Sequence, residues 1–122
     1  MNPFTINLDP QQLFDTIVKA LKAQGWKRSL AKNGLGCAYR GEHGRKCAIG
    51  HIIPDEIAKD NENMTVGSMI LDKKIVFTNA QSRGLAKELQ HDHDQGMTPE
   101  KMRERLKKTA AYFELSDAEV AE

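Results

Sequence analysis

The chain has 122 residues and a mass of 13.7 kDa, the size of one domain with little room for two. Its 18 Lys plus Arg against 17 Asp plus Glu leave a formal net charge of +1. That balance excludes broad electrostatic attraction to nucleic acid or to an anionic membrane. Hydrophobic residues make up 39%, ordinary for a soluble domain. A chain of this length buries about two thirds of its unfolded surface, so it needs no disulfide or metal staple.

Cys37 and Cys47 are the two cysteines, and they read as reduced cytosolic thiols rather than a secreted framework. Residues 1–6 carry neither a basic region nor an apolar run of signal length. No stretch reaches the ~18 apolar residues that span a bilayer. The expectation is a cytoplasmic, single-domain protein over residues 1–122, with its core at about 8–115 and short frayed ends.

In chain order, the first predicted element is a helix. Asp9 caps it, Pro10 takes its first position, and Gln12 completes a capping box, with Leu8 and Leu13 spaced as a hydrophobic staple. Leu13, Phe14, Ile17, Val18 and Leu21 form one apolar stripe. Gly25 stops the helix, and Trp26 is expected to fold back on it. Asn33-Gly34-Leu35-Gly36 is a turn signal. Residues 37–53 then read as a β-hairpin, with a type I turn over Glu42-His43 and a glycine bulge at Gly44. This register sets Gly41 opposite Arg45, Tyr39 opposite Cys47, and Cys37 opposite Ile49. Alternation puts Cys37, Tyr39, Cys47, Ile49 and His51 on one face, and Ala38, Arg40, Lys46, Ala48 and Gly50 on the other.

Pro54-Asp55-Glu56 opens a short helix, residues 65–71 suggest another, and residues 74–77 suggest a third strand. Thr78 or Asn79 caps a helix running to about Gln95, with Leu85, Leu89 and His93 on one face. Thr98 and Pro99 start the last helix, Met97 and Met102 form its staple, and Met102, Leu106, Thr109, Ala110 and Phe113 make its stripe. The predicted class is α+β: an N-terminal helix, a central β-hairpin as a small antiparallel sheet, and a C-terminal helical pair.

The hairpin and the later Leu89-Gln90-His91-Asp92-His93-Asp94 carry a recognisable pattern. Cys37, Tyr39, Arg40 and Gly41 match C-x-Y-R-G, and Gly44, Lys46, Cys47, Ala48 and Gly50 match G-x-K-C-A-x-G. Ile53, Asp55 and Glu56 follow, and Leu89, Gln90, His93 and Asp94 match L-Q-x-x-H-D. The pattern resembles a family of small phage and prophage proteins, over roughly residues 10–115. Met102 departs from it, since related chains often carry tryptophan there. The resemblance implies an accessory role in the host cytoplasm, such as blocking host defence or redirecting host enzymes.

Three chemistries are open to these residues. In the hairpin register Arg40 and Lys46 are like charges directly opposite each other, which repel unless something negative lies between them. With Arg45 flanking and small neighbours, they suit a phosphate or carboxylate. A cysteine nucleophile, Cys47 or Cys37 with His93, is the alternative. Against it, adjacent helical residues diverge by about 100°, which leaves Asp94 poorly placed to orient His93. Zinc on Cys37, Cys47, His51 and His93 is disfavoured, because a strand sets Cys47 and His51 about 13 Å apart at ~3.3 Å per residue. The basic run Lys101, Arg103, Arg105, Lys107 and Lys108 is interleaved with Glu100 and Glu104 and reads as a solvated helix face.

The leading expectation is therefore a binding protein without metal or cofactor. It would sequester or block a host protein or an anionic small molecule such as a signalling nucleotide, through Arg40, Lys46 and Arg45. Homo-oligomerisation is open, no membrane partner is expected, and a nucleic-acid contact through the basic run of the last helix is the weakest of the options.

Overall fold

A computed structural model describes residues 3–32 and 36–120. The turn expected at Asn33-Gly34-Leu35 falls outside the described residues. The elements run β1 (Phe4–Ile6), α1 (Pro10–Ala23), α2 (Asp55–Asp60), α3 (Val66–Leu71), β2 (Ile75–Phe77), α4 (Ala80–Gln95) and α5 (Pro99–Tyr112).

The helix ends follow their capping chemistry. The Asp9 carboxylate accepts from the Gln12 N–H at 2.8 Å, and Gln12 Oε1 accepts from the Asp9 N–H at 3.0 Å. Leu13, Phe14, Ile17, Val18 and Leu21 of α1 are all fully buried. Gly25 takes a left-handed φ of 74°, and Trp26 turns back into the core with its N–H on the Leu21 carbonyl at 2.9 Å. Thr65, Asn79 and Thr98 each accept from a first-turn N–H of α3, α4 and α5. Their side-chain oxygens satisfy N–H groups that have no partner within the helix. Met97 is the exception to the predicted staple, since it is 57% exposed.

Among the described residues the fold is α+β, with five helices and a small two-stranded sheet, but that sheet is not the expected hairpin. It pairs β1 with β2 in parallel, Phe4 opposite Ile75 and Ile6 opposite Phe77. Parallel strands need a crossover, and α1 through α3 lie within it. α4 packs on α1 and on α5. The core takes in Ile6 and Val120, beyond the 8–115 span expected.

The antiparallel hairpin over residues 37–53 does not form. Residues 37–42 instead turn back on residues 29–31. Leu30 and Cys37 make an antiparallel bridge, and the Ala38 and Glu42 N–H groups reach the Ser29 and Leu30 carbonyls at 2.9 and 3.0 Å. The Gly41 N–H does meet the Arg45 carbonyl at 2.9 Å. Beyond that bond the chain leaves in single 3-10 turns at Glu42–Gly44 and Ile49–His51. Gly44 has the positive φ expected of a glycine bulge, 72°, but His43 has a φ of 60°, which the second central position of a type I turn does not allow.

The physical reason is that side chains take the backbone groups a ladder would have used. Glu62 accepts the Tyr39 N–H at 2.9 Å and the Arg40 N–H at 3.0 Å, one on each carboxylate oxygen. The Arg40 guanidinium donates to the carbonyls of Tyr39, Gly50 and Ile53 at 3.1, 2.7 and 2.9 Å. Gly50 must be glycine here, because a Cβ would stand 2.5 Å from the Tyr39 carbonyl oxygen.

Gly84 lies inside α4 with open space around the position a Cβ would take. Gly84→Ala should therefore raise stability by about 0.5–1 kcal/mol, from reduced backbone freedom in the unfolded chain. A urea unfolding midpoint that moves down instead would show that this space is needed.

Candidate functional site

Arg40 is the leading candidate from the sequence for an anion contact, and its surroundings are those of a clamp. Besides the three carbonyls, its Nε donates to Asp55 Oδ1 at 2.8 Å, at the start of α2. Four of the five guanidinium N–H donors are thus engaged within the chain. Without the hairpin, Arg40 and Lys46 are not a cross-strand pair. Lys46 is half-buried, and its main chain is held by Gln24: Oε1 accepts the Lys46 N–H at 3.2 Å, and Nε2 donates to the Lys46 carbonyl at 2.7 Å. The Arg45 carbonyl accepts from Ser29 Oγ at 3.1 Å.

The same glutamine positions His51. Because Gln24 Oε1 accepts from Lys46 N–H, it also accepts from His51 Nε2 at 3.1 Å, so the ring proton sits on Nε2. Burial first, then Lys46, His93 and Arg40, push the His51 pKa down to about 4. His51 is in a turn four residues after Cys47, so the strand spacing used against a shared zinc site does not hold.

The residues of the alternative catalytic set do come together. A carboxylate oxygen of Asp94, a ring nitrogen of His93 and Cys37 Sγ lie within 4.8 Å of one another. Contrary to the helical-divergence argument, Asp94 Oδ1 is 2.9 Å from His93 Nδ1. Divergence at the backbone does not prevent a ring nitrogen from swinging sideways to meet a short neighbouring carboxylate. Asp94 Oδ1 also accepts from Gln90 Nε2 at 2.9 Å, and Gln90 Oε1 accepts from the Ile49 N–H at 3.0 Å.

His93 is fully buried, and both of its ring nitrogens are engaged. The Ser29 N–H, which can only donate, meets Nε2 at 2.9 Å. Nε2 is therefore an acceptor, and the ring proton is on Nδ1, donated to Asp94. This has two chemical consequences. His93 has no free lone pair with which to take a thiol proton. A metal at Nδ1 would have to displace that proton and form an imidazolate, so Cys37, His93 and Asp94 do not fit a metal in this arrangement.

The thiols are also held in their unreactive form. Burial, and then Asp94 beside it, push the Cys37 pKa up to about 11. Burial pushes Cys47 up to about 12, even though its Sγ accepts the Gly50 N–H at 3.3 Å. Nucleophilic cysteines need the opposite shift.

What these residues do enclose is a groove of about 520 Å³. Arg28, Cys37, Tyr39, Cys47, Glu62 and Asp94 line it, with Val66, Gln90 and Met97. Cys37 is half-exposed there, and Cys47 is buried. The Tyr39 hydroxyl donates to the Met64 carbonyl. Sequence reasoning singled out Cys37, Cys47 and His93 but missed Arg28, Ser29, Gln24 and Glu62. The spacing of those four carries no signal, since each meets its partner across a long stretch of chain.

Arg40→Ala should cost about 2–4 kcal/mol of stability, because it leaves buried carbonyls without a donor. Arg40→Lys should recover little, since an ammonium lacks the planar fork. A loss below about 0.5 kcal/mol in denaturant unfolding would remove the clamp.

The His51 shift predicts a pH dependence. Its folded pKa is below its unfolded value, so unfolding takes up a proton, and stability falls as pH drops from about 6.5 towards 4. Buried Asp92, pushed up to about 6 chiefly by burial, works oppositely and costs stability as pH rises from 3.8 to 6. His51→Gln should therefore lose stability less steeply than the parent below pH 6.5. Parallel stability–pH curves for the two would show that His51 does not titrate in this way.

Comparison of the chain with protein-family models, with curated proteins and with solved structures finds no match.

Proposed function

We propose that the chain acts by binding rather than catalysis, as a small accessory protein of the phage type, and that the groove at Cys37 is its ligand site. The observation that carries this reading is the groove itself. A cavity of about 520 Å³ is within the range used for small molecules, and its walls are fixed by side-chain hydrogen bonds before any ligand arrives. The engagement of both His93 nitrogens and the raised thiol pKa values weigh against the cysteine-dependent alternative. The anion role of Arg40, Lys46 and Arg45 has less support, because the Arg40 fork is occupied by Tyr39, Gly50, Ile53 and Asp55. Sequestration of a small host molecule is thus favoured over an anion contact on an open strand face. No described helix is long and apolar enough to cross a membrane.

Native mass spectrometry of the chain incubated with a bacterial metabolite extract tests this reading, alongside the slow rate at which iodoacetamide labels half-exposed Cys37 at alkaline pH, where a fraction of the thiol is ionised. The expected result is a small-molecule adduct that slows Cys37 labelling. No adduct, together with an unchanged labelling rate, would overturn it.

A further inference from the structure

Cys37 lies between opposite charges. An Asp94 carboxylate oxygen lies within 4.8 Å of its Sγ, and the Arg28 side chain lines the same groove. Asp94 is held in place from behind. Gln90 and His93 both donate to its Oδ1, and Ser29 fixes His93 in turn. Arg28 reaches α4 through one long bond, 3.5 Å from Nη1 to the Asp94 carbonyl. The other carboxylate in the wall, Glu62, is engaged by the Tyr39 and Arg40 N–H groups. The apolar part of the wall includes buried Val66 and Cys47, and Met97, whose flexible side chain is 57% exposed.

We propose that the groove takes a small zwitterion with an apolar side chain, an α-amino acid or a molecule with the same head group, its carboxylate on Arg28 and its ammonium on Asp94. This rests on the groove being the ligand site. A ligand with a single charge would meet at least one like charge in the wall, whereas a zwitterion can set each of its charges on an opposite one, so the wall selects by repulsion as well as attraction. Arg28 offers a planar fork suited to a carboxylate. Asp94 is pre-oriented, so little ordering is needed on binding. Met97 is an unbranched thioether that adapts to side chains of different shape.

The test is calorimetric titration and Cys37 labelling with L-phenylalanine, L-leucine and L-methionine, set against N-acetyl-L-phenylalanine and L-phenylalaninamide. The free amino acids should bind and slow labelling, and each capped analogue should bind roughly tenfold weaker or worse. Arg28→Gln should abolish the preference for acid over amide. Asp94→Asn, whose amide oxygen still accepts from Gln90 and His93, should abolish the preference for free amine over acetyl. If Asp94→Asn does not fold, the Arg28→Gln arm decides. Capped analogues that bind as well as the free acids would overturn the proposal. So would a protein that ignores the whole series yet still captures a metabolite, an outcome that spares the groove as a ligand site. Loss of both signals would remove the groove reading as well.

Discussion

One guanidinium holds the middle of this protein in shape. Arg40 gathers the carbonyls of Tyr39, Gly50 and Ile53 and the carboxylate of Asp55 around a single planar fork. The segment it organises is irregular, and irregular backbone at partial burial must find partners for its polar groups without a ladder. Charged donors and acceptors do this best, since their hydrogen bonds are shorter and stronger than neutral ones. Glu62 supplies the complementary half by taking the N–H groups of Tyr39 and of Arg40 itself. The two side chains thus brace the same turn from opposite sides, one through its carbonyls and the other through its amides.

A second network ties that turn to the helical scaffold. Gln90, His93 and Asp94 stand on the last turns of α4 and reach the Ile49 N–H, the Ser29 N–H and the vicinity of Cys37. Because the Ser29 N–H can only donate, it sets the tautomer of His93, and that tautomer sets what the neighbouring Asp94 receives. What looks in composition like a cysteine–histidine–aspartate set is therefore a positioning device. Its product is an oriented carboxylate at the edge of a groove, beside a thiol that burial and charge keep protonated.

Close packing explains why glycine recurs in this region. Gly41 and Gly50 sit where a Cβ would approach backbone or side-chain oxygens at 2.7 Å or less. Four residues of the C-x-Y-R-G and G-x-K-C-A-x-G pattern thus have structural reasons to be what they are, apart from any ligand. Arg40 clamps, Gly41 and Gly50 permit close approach, and Cys47 accepts the Gly50 N–H. The groove is what remains between this knot and the end of α4.

Local chemistry in the sequence was enough for the helices. Asp9 with Gln12, Pro10, Thr98 with Pro99, and the apolar stripes of α1 and α5 act within one or two turns, so their consequences can be read from neighbours in the chain. Trp26 folding back and His93 lying satisfied on the buried face of α4 follow from the same local logic. The segment 37–53 departs from the hairpin that its alternation suggests, because the interactions that decide its path come from Glu62, Ser29, Gln24 and Gln90, outside the segment. The parallel pairing of β1 with β2 was equally out of reach, since each strand is three residues long and its partner lies across most of the chain. Neighbours in the chain were enough for the helix starts at Asp9, Thr98 and Pro99, for the α+β class and for the residue types available to a site. That Arg40 turns inward, that Gln90 meets the Ile49 N–H, and that Arg28 reaches the Asp94 carbonyl beside Cys37 could not be read this way, because each depends on a hydrogen bond that forms once the complete fold brings the groups together.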